Sequence, residues 1–170
     1  TAGNSSSIVD GAAAMLLASG EACERLRLRP RARFVSFGLS GVDPYRMLHG
    51  NPQACERALR RAGLGWDDIA VIEVNEAFAS VVLQFLADTG LHDRWVAGDV
   101  NPNGGGISLG HPLGATGARI TATLVNELDR GAVGTMPSPA FVDRIVAAYD
   151  LYRGTGADAA QTLLDPMGSL

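Results

Sequence analysis

The stretch at residues 101–117, NPNGGGISLGHPLGATG, decides how this chain is read. It flows without a break into an apolar-periodic segment at 118–128, read as a helix ending at Asp129-Arg130-Gly131. Gly104, Gly105 and Gly106 let backbone approach a ligand where any side chain would collide. Gly110, Gly114 and Gly117 follow just before the helix, whose N-terminus offers backbone N–H groups and partial positive charge to an anion or a developing oxyanion. Two nucleotide signatures fail here on spacing. No Gly-Lys-Ser/Thr follows, and Gly110-x-x-x-Gly114-x-x-Gly117 is not G-x-G-x-x-G. His111 sits between Gly110 and Pro112, and two readings stay open. It is a polar loop residue bonding a carbonyl, or an imidazole held at a fixed place with room beside it. Neither His49 nor His92 has comparable surroundings, and no His/Cys/Asp/Glu spacing resembles a metal site.

A second candidate lies upstream, at Asn75-Glu-Ala-Phe78. It falls between a β-branched run at 69–74, read as a strand buried on both faces, and an apolar helix at 77–87. Functional groups in parallel α/β sheets gather where a strand hands over to a helix. Asn75 can cap that helix or orient a water or substrate oxygen with its amide, and these roles are compatible. Glu76 is read as favouring the positive end of that helix, and Phe78 as a pocket wall or core residue.

Working outward, residues 32–39 alternate as a strand, and 52–62 read as a helix with Pro52 at its start and Gly63 after its end. Residues 41–44 are a turn. Residues 21–28 read as a short amphipathic helix with Cys23, Leu26 and Ala22 inward, whereas the apolar run at 12–18 is too short to assign by period. Residues 141–152 read as an amphipathic helix striped by Phe141, Ile145, Ala148 and Tyr152, and 154–170 as a loosely held end. Alternating strands and helices imply a layered α/β fold with a mostly parallel sheet. The repeated Ala22-Cys-Glu-Arg25 and Ala54-Cys-Glu-Arg57 are read as a coincidence of helix formers rather than a duplication.

Composition narrows the function. At 46% hydrophobic and 19% charged, the 170-residue chain is globular and of one-domain size. Fourteen basic against eighteen acidic residues give a net charge of -4, which argues against a nucleic-acid binder. Two cysteines make no disulfide framework, and no signal peptide or membrane span is visible, so the expected location is cytoplasmic. Thr1 in place of a methionine suggests that a longer polypeptide has been cut.

Taken together, Asn75-Glu-Ala-Phe78, Asn103-Gly-Gly and Gly110-His-Pro-x-Gly-Ala-x-Gly117 resemble the carboxy-terminal half of a thiolase, of the fatty-acid β-oxidation type. Thr1-Ala-Gly-Asn-Ser-Ser6 with Asp10-Gly-Ala-Ala resembles the segment just before that half, and Gly41-Val-Asp-Pro-x-x-Met47 a loop within it. The resemblance runs from Thr1 to about Arg130. It implies a thiolase-like layered α-β-α domain and an acyl-CoA acyltransferase that cleaves 3-oxoacyl-CoA with CoA, or runs the reverse Claisen condensation. By resemblance, His111 donates to the thioester oxygen and helps to activate a nucleophilic cysteine, while Asn75 holds the water that completes the oxyanion hole. Ser6 matches a serine near the CoA pantetheine arm, Met47 and Phe78 match acyl-pocket positions, and Gly104, Gly105 and Gly110 belong to the oxyanion loop. Coenzyme A or acyl-CoA is then a substrate, with no covalently bound cofactor and no metal.

The chain departs from the family pattern where it matters most. The family's nucleophilic cysteine lies in an amino-terminal half absent from these residues. Its acid/base cysteine lies in a Cys-x-Gly-Gly-Gly motif, yet Gly134-Thr-Met136 is followed by Pro137-Ser-Pro139 and no cysteine. Cys23 and Cys55 match neither and are read as small buried hydrophobes. Ser7 replaces a usual glycine and would crowd the CoA arm. The expectation is therefore an incomplete thiolase domain, inactive alone, that needs an amino-terminal half or forms a homo-oligomer. The alternative is a non-catalytic CoA-binding or partner subunit, and a third is a degenerate remnant. Residues 1–30 are assigned to the end of the amino-terminal half, 31–136 to the incomplete carboxy-terminal domain and 137–170 to a divergent tail. Uncovered apolar faces such as 12–18 invite association.

Overall fold

The computed structural model describes residues 1–135 and 143–150. The chain divides into two compact units, Thr1–Val35 with Gly65–Ile145, and Ser36–Leu64 with Val146–Leu170. In chain order the elements are α1 (Gly20–Leu26), β1 (Ala32–Ser40), α2 (Asn51–Ala62), α3 (Ala79–Thr89), α4 (His92–Ala97), α5 (Gly106–Leu109), α6 (Thr116–Thr135) and β2 (Asp143–Asp150). β1 and β2 form a two-stranded sheet.

The second unit is built on close approach. Ser36, Gly38 and Ser40 are the buried residues of β1, while Phe37 and Leu39 on the alternate face are half exposed. Small residues face α2 because its backbone comes very near. A Cβ on Gly38 would stand 1.9 Å from the Ala54 carbonyl oxygen, so only glycine fits. Ala54, Ala58 and Leu59 supply the helix side of this core. The α2 helix ends where Gly63 turns left-handed at φ 68°. The Ser40 hydroxyl donates to Gly50 O at 2.7 Å, and Arg61 Nη1 donates to Phe37 O at 2.8 Å.

In the first unit, Val81, Val82, Phe85 and Leu86 bury one stripe of α3, and Trp66 meets Phe85 edge-on at 6.0 Å. Arg94 on α4 holds the chain around this core, donating to Asp99 Oδ2 at 3.0 Å, Trp66 O at 3.1 Å and Ala70 O at 2.7 Å.

Several expected elements differ. Residues 69–74 make no strand ladder. Ile72 forms one isolated parallel bridge to Val100, and only Ile72 and Val74 are buried, so the segment is covered on one side rather than both. The helix expected at 77–87 starts two residues later with Phe78 as N-cap, so Asn75 caps nothing there. The helix expected at 118–128 begins at Thr116 and runs on to Thr135. Glycines at 131 and 134 cost a helix about 1 kcal/mol each, and no proline intervenes before Pro137. The tail expected to be helical over 141–152 is a strand at Asp143–Asp150, whose sequence also fits a two-residue period. Its flanking residues and the segment 154–170 lie outside the described residues. Residues 12–18 form no regular element, and all are exposed. In α1, Ala22 and Cys23 are half-buried as expected, but Leu26 is 59% exposed because the left-handed Arg27 ends the helix there.

Candidate functional site

The site assembles within the first unit, from three segments stitched by backbone hydrogen bonds. Ser5 pairs with Phe78 in an antiparallel bridge, and Ser6 N donates to Ala77 O at 3.0 Å. Ser7 N donates to Gly106 O at 3.2 Å, and His111 N donates to Ser7 O at 3.0 Å. Residues 5–7 thus tie the segment that carries Asn75 to the glycine loop that carries His111. Ser6 lies at this junction, where its Cβ would be 3.4 Å from a Cβ on Gly106. Ser7 is part of the stitching, and its hydroxyl turns to Ile107 O at 3.4 Å.

His111 is gripped at two points. Besides its backbone bond to Ser7, its Nδ1 lies 2.8 Å from Thr116 Oγ1. Thr116 is 3% exposed, and its hydroxyl reaches Pro112 O at 3.0 Å. A hydroxyl has one hydrogen. With that hydrogen on Pro112 O, the bond to the ring runs from Nδ1–H to Thr116 Oγ1, which leaves the Nε2 lone pair open. Burial first, and then the Arg119 cation, hold the His111 imidazole below its usual range, so the ring is neutral at pH 7. Pro112 packs on Gly11, whose added Cβ would meet Pro112 Cγ at 2.7 Å.

Glu76 does something its sequence position conceals. Its carboxylate crosses to the glycine loop instead of serving α3. Oε2 accepts from Ile107 N at 3.1 Å, in the first turn of α5, and Oε1 accepts from Asn101 Nδ2 at 3.0 Å. A Cβ on Gly105 would lie 2.2 Å from Glu76 Cδ, so the loop needs glycine there to admit the carboxylate. Asn101, left-handed at φ 49°, uses its side chain as a surrogate strand partner. Its Oδ1 accepts from Val74 N at 2.7 Å, and its Nδ2 also donates to Val74 O at 2.9 Å. At the far end of the loop, Asn103 Nδ2 donates to Glu127 Oε2 at 2.7 Å, and Asn103 Oδ1 accepts from Arg130 Nη2 at 2.9 Å. The Asn103 bond, and then Arg130, hold the Glu127 carboxyl below the usual carboxylate range.

These contacts sort the expected site residues. Ser6, Phe78, His111 and the segment bearing Asn75 are brought together. Asn75 Oδ1 is buried and accepts no hydrogen bond from the protein. Phe78 is 46% exposed and so is not a core residue. The loop glycines spend their N–H groups internally: Gly104 N on Asn101 O, Gly105 N on Ser108 Oγ and Gly110 N on Gly106 O. Met47 falls in the second unit, with a left-handed backbone at φ 55°, outside the site as built here. Cys23 and Cys55 are half-buried, and burial, followed by Glu56, pushes the Cys55 thiol up to about 12, far from a nucleophile's range. No metal-holding cluster occurs among the described residues, and none of their helices is long and apolar enough to cross a membrane.

Thr116, Glu76, Asn101 and Arg119 were not picked out as functional by sequence. The available signal was a hydroxyl five residues after the histidine, at the start of the following helix.

Residues 28–137 match the model of the thiolase carboxy-terminal domain. The chain is 49% identical over 130 residues to a 3-ketoacyl-CoA thiolase of Klebsiella pneumoniae, across 76% of this chain and 33% of that relative. It is similar to the crystal structure of the acetyl-CoA acetyltransferase of Bacillus anthracis, with TM-score 0.72 and 40% identity, covering 78% of this chain and 32% of the other. Human mitochondrial 3-ketoacyl-CoA thiolase in complex with CoA matches with TM-score 0.69 at the same identity and coverage. The chain spans about a third of the length of the curated relatives it matches.

Proposed function

The chain belongs to the thiolase family, and from that premise we propose that it carries the histidine-and-asparagine half of an acyl-CoA acyltransferase site. Its reaction class is 3-oxoacyl-CoA thiolysis or the reverse Claisen condensation, with CoA and acyl-CoA as substrates rather than resident cofactors. The observation that carries this reading is the hold on His111, whose Nδ1 is 2.8 Å from a buried threonine hydroxyl while the ring stays neutral. A neutral imidazole with its Nε2 lone pair open is a base. It takes the proton of an approaching thiol, and the thiolate adds to the 3-oxo carbonyl; collapse of that adduct restores the carbonyl as an acyl thioester and breaks the C2–C3 bond, whose electron pair leaves on the departing acyl-CoA as an enolate with its charge on the thioester oxygen, protonated at carbon before release. The imidazolium then donates from Nε2 to the oxygen on which negative charge gathers, joined by a water held on the Asn75 amide. Such donors are worth about 3–4 kcal/mol each in the transition state. Ser6 borders the path of the CoA arm, and Phe78 lines the acyl side. Gly104, Gly105 and Gly110 shape the loop without donating.

The nucleophile is not among these 170 residues, whose only cysteines are Cys23 and Cys55. Alone, the chain is inactive; residues 31–136 act as a partial catalytic domain that requires a cysteine-bearing amino-terminal half in the cytoplasm, with or without association of copies of this chain. The lack of the family's catalytic cysteines among these residues motivates a second reading, a non-catalytic subunit that binds CoA. Mixing the chain with an amino-terminal half that bears a cysteine, then following acylation of that cysteine from a 3-oxoacyl-CoA by mass, separates the two. Acylation with the native chain and background with His111→Ala supports the catalytic reading. Equal background for both defeats it, and saturable CoA binding by calorimetry then supports the second.

A further inference from the structure

The two donors proposed for the substrate oxygen stand on separate segments, and two routes of hydrogen bonds join them. One is backbone alone: Ser6 N donates to Ala77 O at 3.0 Å, and His111 N donates to Ser7 O at 3.0 Å. The other passes through the side chain of Glu76, the residue directly after Asn75. Its Oε2 accepts from Ile107 N at 3.1 Å. The preceding carbonyl, Gly106 O, accepts from Ser7 N and from Gly110 N, both at 3.2 Å. Ser7 and Gly110 seat the His111 backbone, one by its hydrogen bond and one as its chain neighbour. A single route fixes a separation but lets one segment turn about the other. The second route removes that freedom.

The fit along this second route is close. A Cβ on Gly105 would lie 2.2 Å from Glu76 Cδ, and one on Gly106 would lie 3.0 Å from Glu76 O. Two successive loop residues thus lack side chains where Glu76 passes. The other carboxylate oxygen is tied back to its own segment. Oε1 accepts from Asn101 Nδ2 at 3.0 Å, and Asn101 bonds both the N and the O of Val74. With one oxygen on the loop and one returned through Asn101 to Val74, the carboxylate is a brace rather than a tether. A carboxylate suits this, since hydrogen bonds to it are shorter and about twice as strong as neutral ones. We propose that Glu76 is a positioning residue for the reaction: through Ile107, Gly106 and Ser7 it holds the Asn75 amide in register with the His111 ring. It acts through these residues rather than on substrate. The role goes beyond capping α5, because a cap would steady Ile107 alone.

The inference rests on the reading of His111 and Asn75 as the donor pair, so its test has two arms. The first is amide hydrogen exchange in the native chain, Glu76→Ala, Glu76→Gln and, at the far end of the loop, Glu127→Gln. Glu76→Ala should speed exchange at Ile107, Ser7 and His111 together, by about tenfold or more beyond any global change. Glu76→Gln, which keeps one acceptor for Ile107 N, should restore part of that protection at all three. Glu127→Gln loosens Asn103 and should leave the three amides at their native rates. Faster exchange confined to Ile107, or the same pattern in Glu127→Gln, overturns the proposal. Should Glu76→Ala fail to fold, the native, Glu76→Gln and Glu127→Gln chains decide on the same criteria. The second arm is acylation of a cysteine-bearing amino-terminal half. In Glu76→Ala, displaced donors should lower the rate at saturating 3-oxoacyl-CoA by about 10–100-fold, with the half-saturating concentration near native. A native rate there overturns the positioning role even where exchange is coupled. No acylation by the native chain sinks the functional reading instead, and the exchange pattern alone then decides whether Glu76 braces the two segments.

Discussion

Glu76 anchors the glycine loop, and Glu76→Ala is the perturbation that exposes this. The substitution removes the only side-chain acceptor given to Ile107 N–H and one of two acceptors of Asn101 Nδ2. Hydrogen bonds to a charged group are worth about 1.5–3 kcal/mol. Two such bonds lost, with water entering the half-buried space in partial recompense, set the cost at about 2–4 kcal/mol, within a total of about 5–15 kcal/mol for a domain. Global loss alone would not identify the cap, so the decisive assay is amide hydrogen exchange at Ile107. About 2 kcal/mol of local protection corresponds to roughly 30-fold faster exchange there, with α3 amides changing only by the global amount. Gly105→Ala reaches the same end sterically, because its methyl would sit 2.2 Å from the Glu76 carboxyl carbon and push it off the loop. Native exchange at Ile107 in Glu76→Ala would show that the carboxylate is not what caps α5, and the account of the loop would fail.

Two further outcomes follow from the geometry. Thr116→Val keeps the side-chain shape but removes the acceptor of the His111 Nδ1–H; nitrogen-15 shifts should show the ring moving towards its Nε2–H form, at a cost of about 0.5–1.5 kcal/mol, whereas Thr116→Ser retains the native tautomer. Leu16 and Leu17, 79% and 69% exposed, form an apolar surface, so sedimentation velocity should find concentration-dependent association of the native chain that the double variant L16K/L17K lacks. Unchanged association in that variant would place the sticky surface elsewhere.

What could be read from the sequence was local chemistry. A histidine flanked by glycine and proline announces itself because its constraints are its chain neighbours, and the helix before Gly63 is marked by residues at its own ends. What could not be read depended on partners far along the chain. Residues 69–74 have strand composition, but a ladder needs a neighbour, and Val100 supplies one bridge before Asn101 turns left-handed and substitutes its side chain. Glu76 was matched to the helix just after it, although its acceptor role lies 31 residues ahead. In the tail, Arg-Ile-Val-Ala-Ala-Tyr is apolar at both helical and strand spacings, so period alone could not choose.

On the proposed reading, the half-site is organised before its partner arrives. Every group that fixes His111 — Ser7 at its backbone, Thr116 at Nδ1, Arg119 through its charge — belongs to one unit of this chain. Ring orientation, tautomer and charge state are therefore settled before any thiol arrives. An ordinary thiol near 8.5 is mostly protonated at neutral pH, so it needs a base more than it needs a cation. A neutral imidazole with an open Nε2 meets that need, while an imidazolium would not. On the proposed reading, neutral His111 accepts the thiol proton first, and its donor role towards the oxyanion begins only once that proton has been taken.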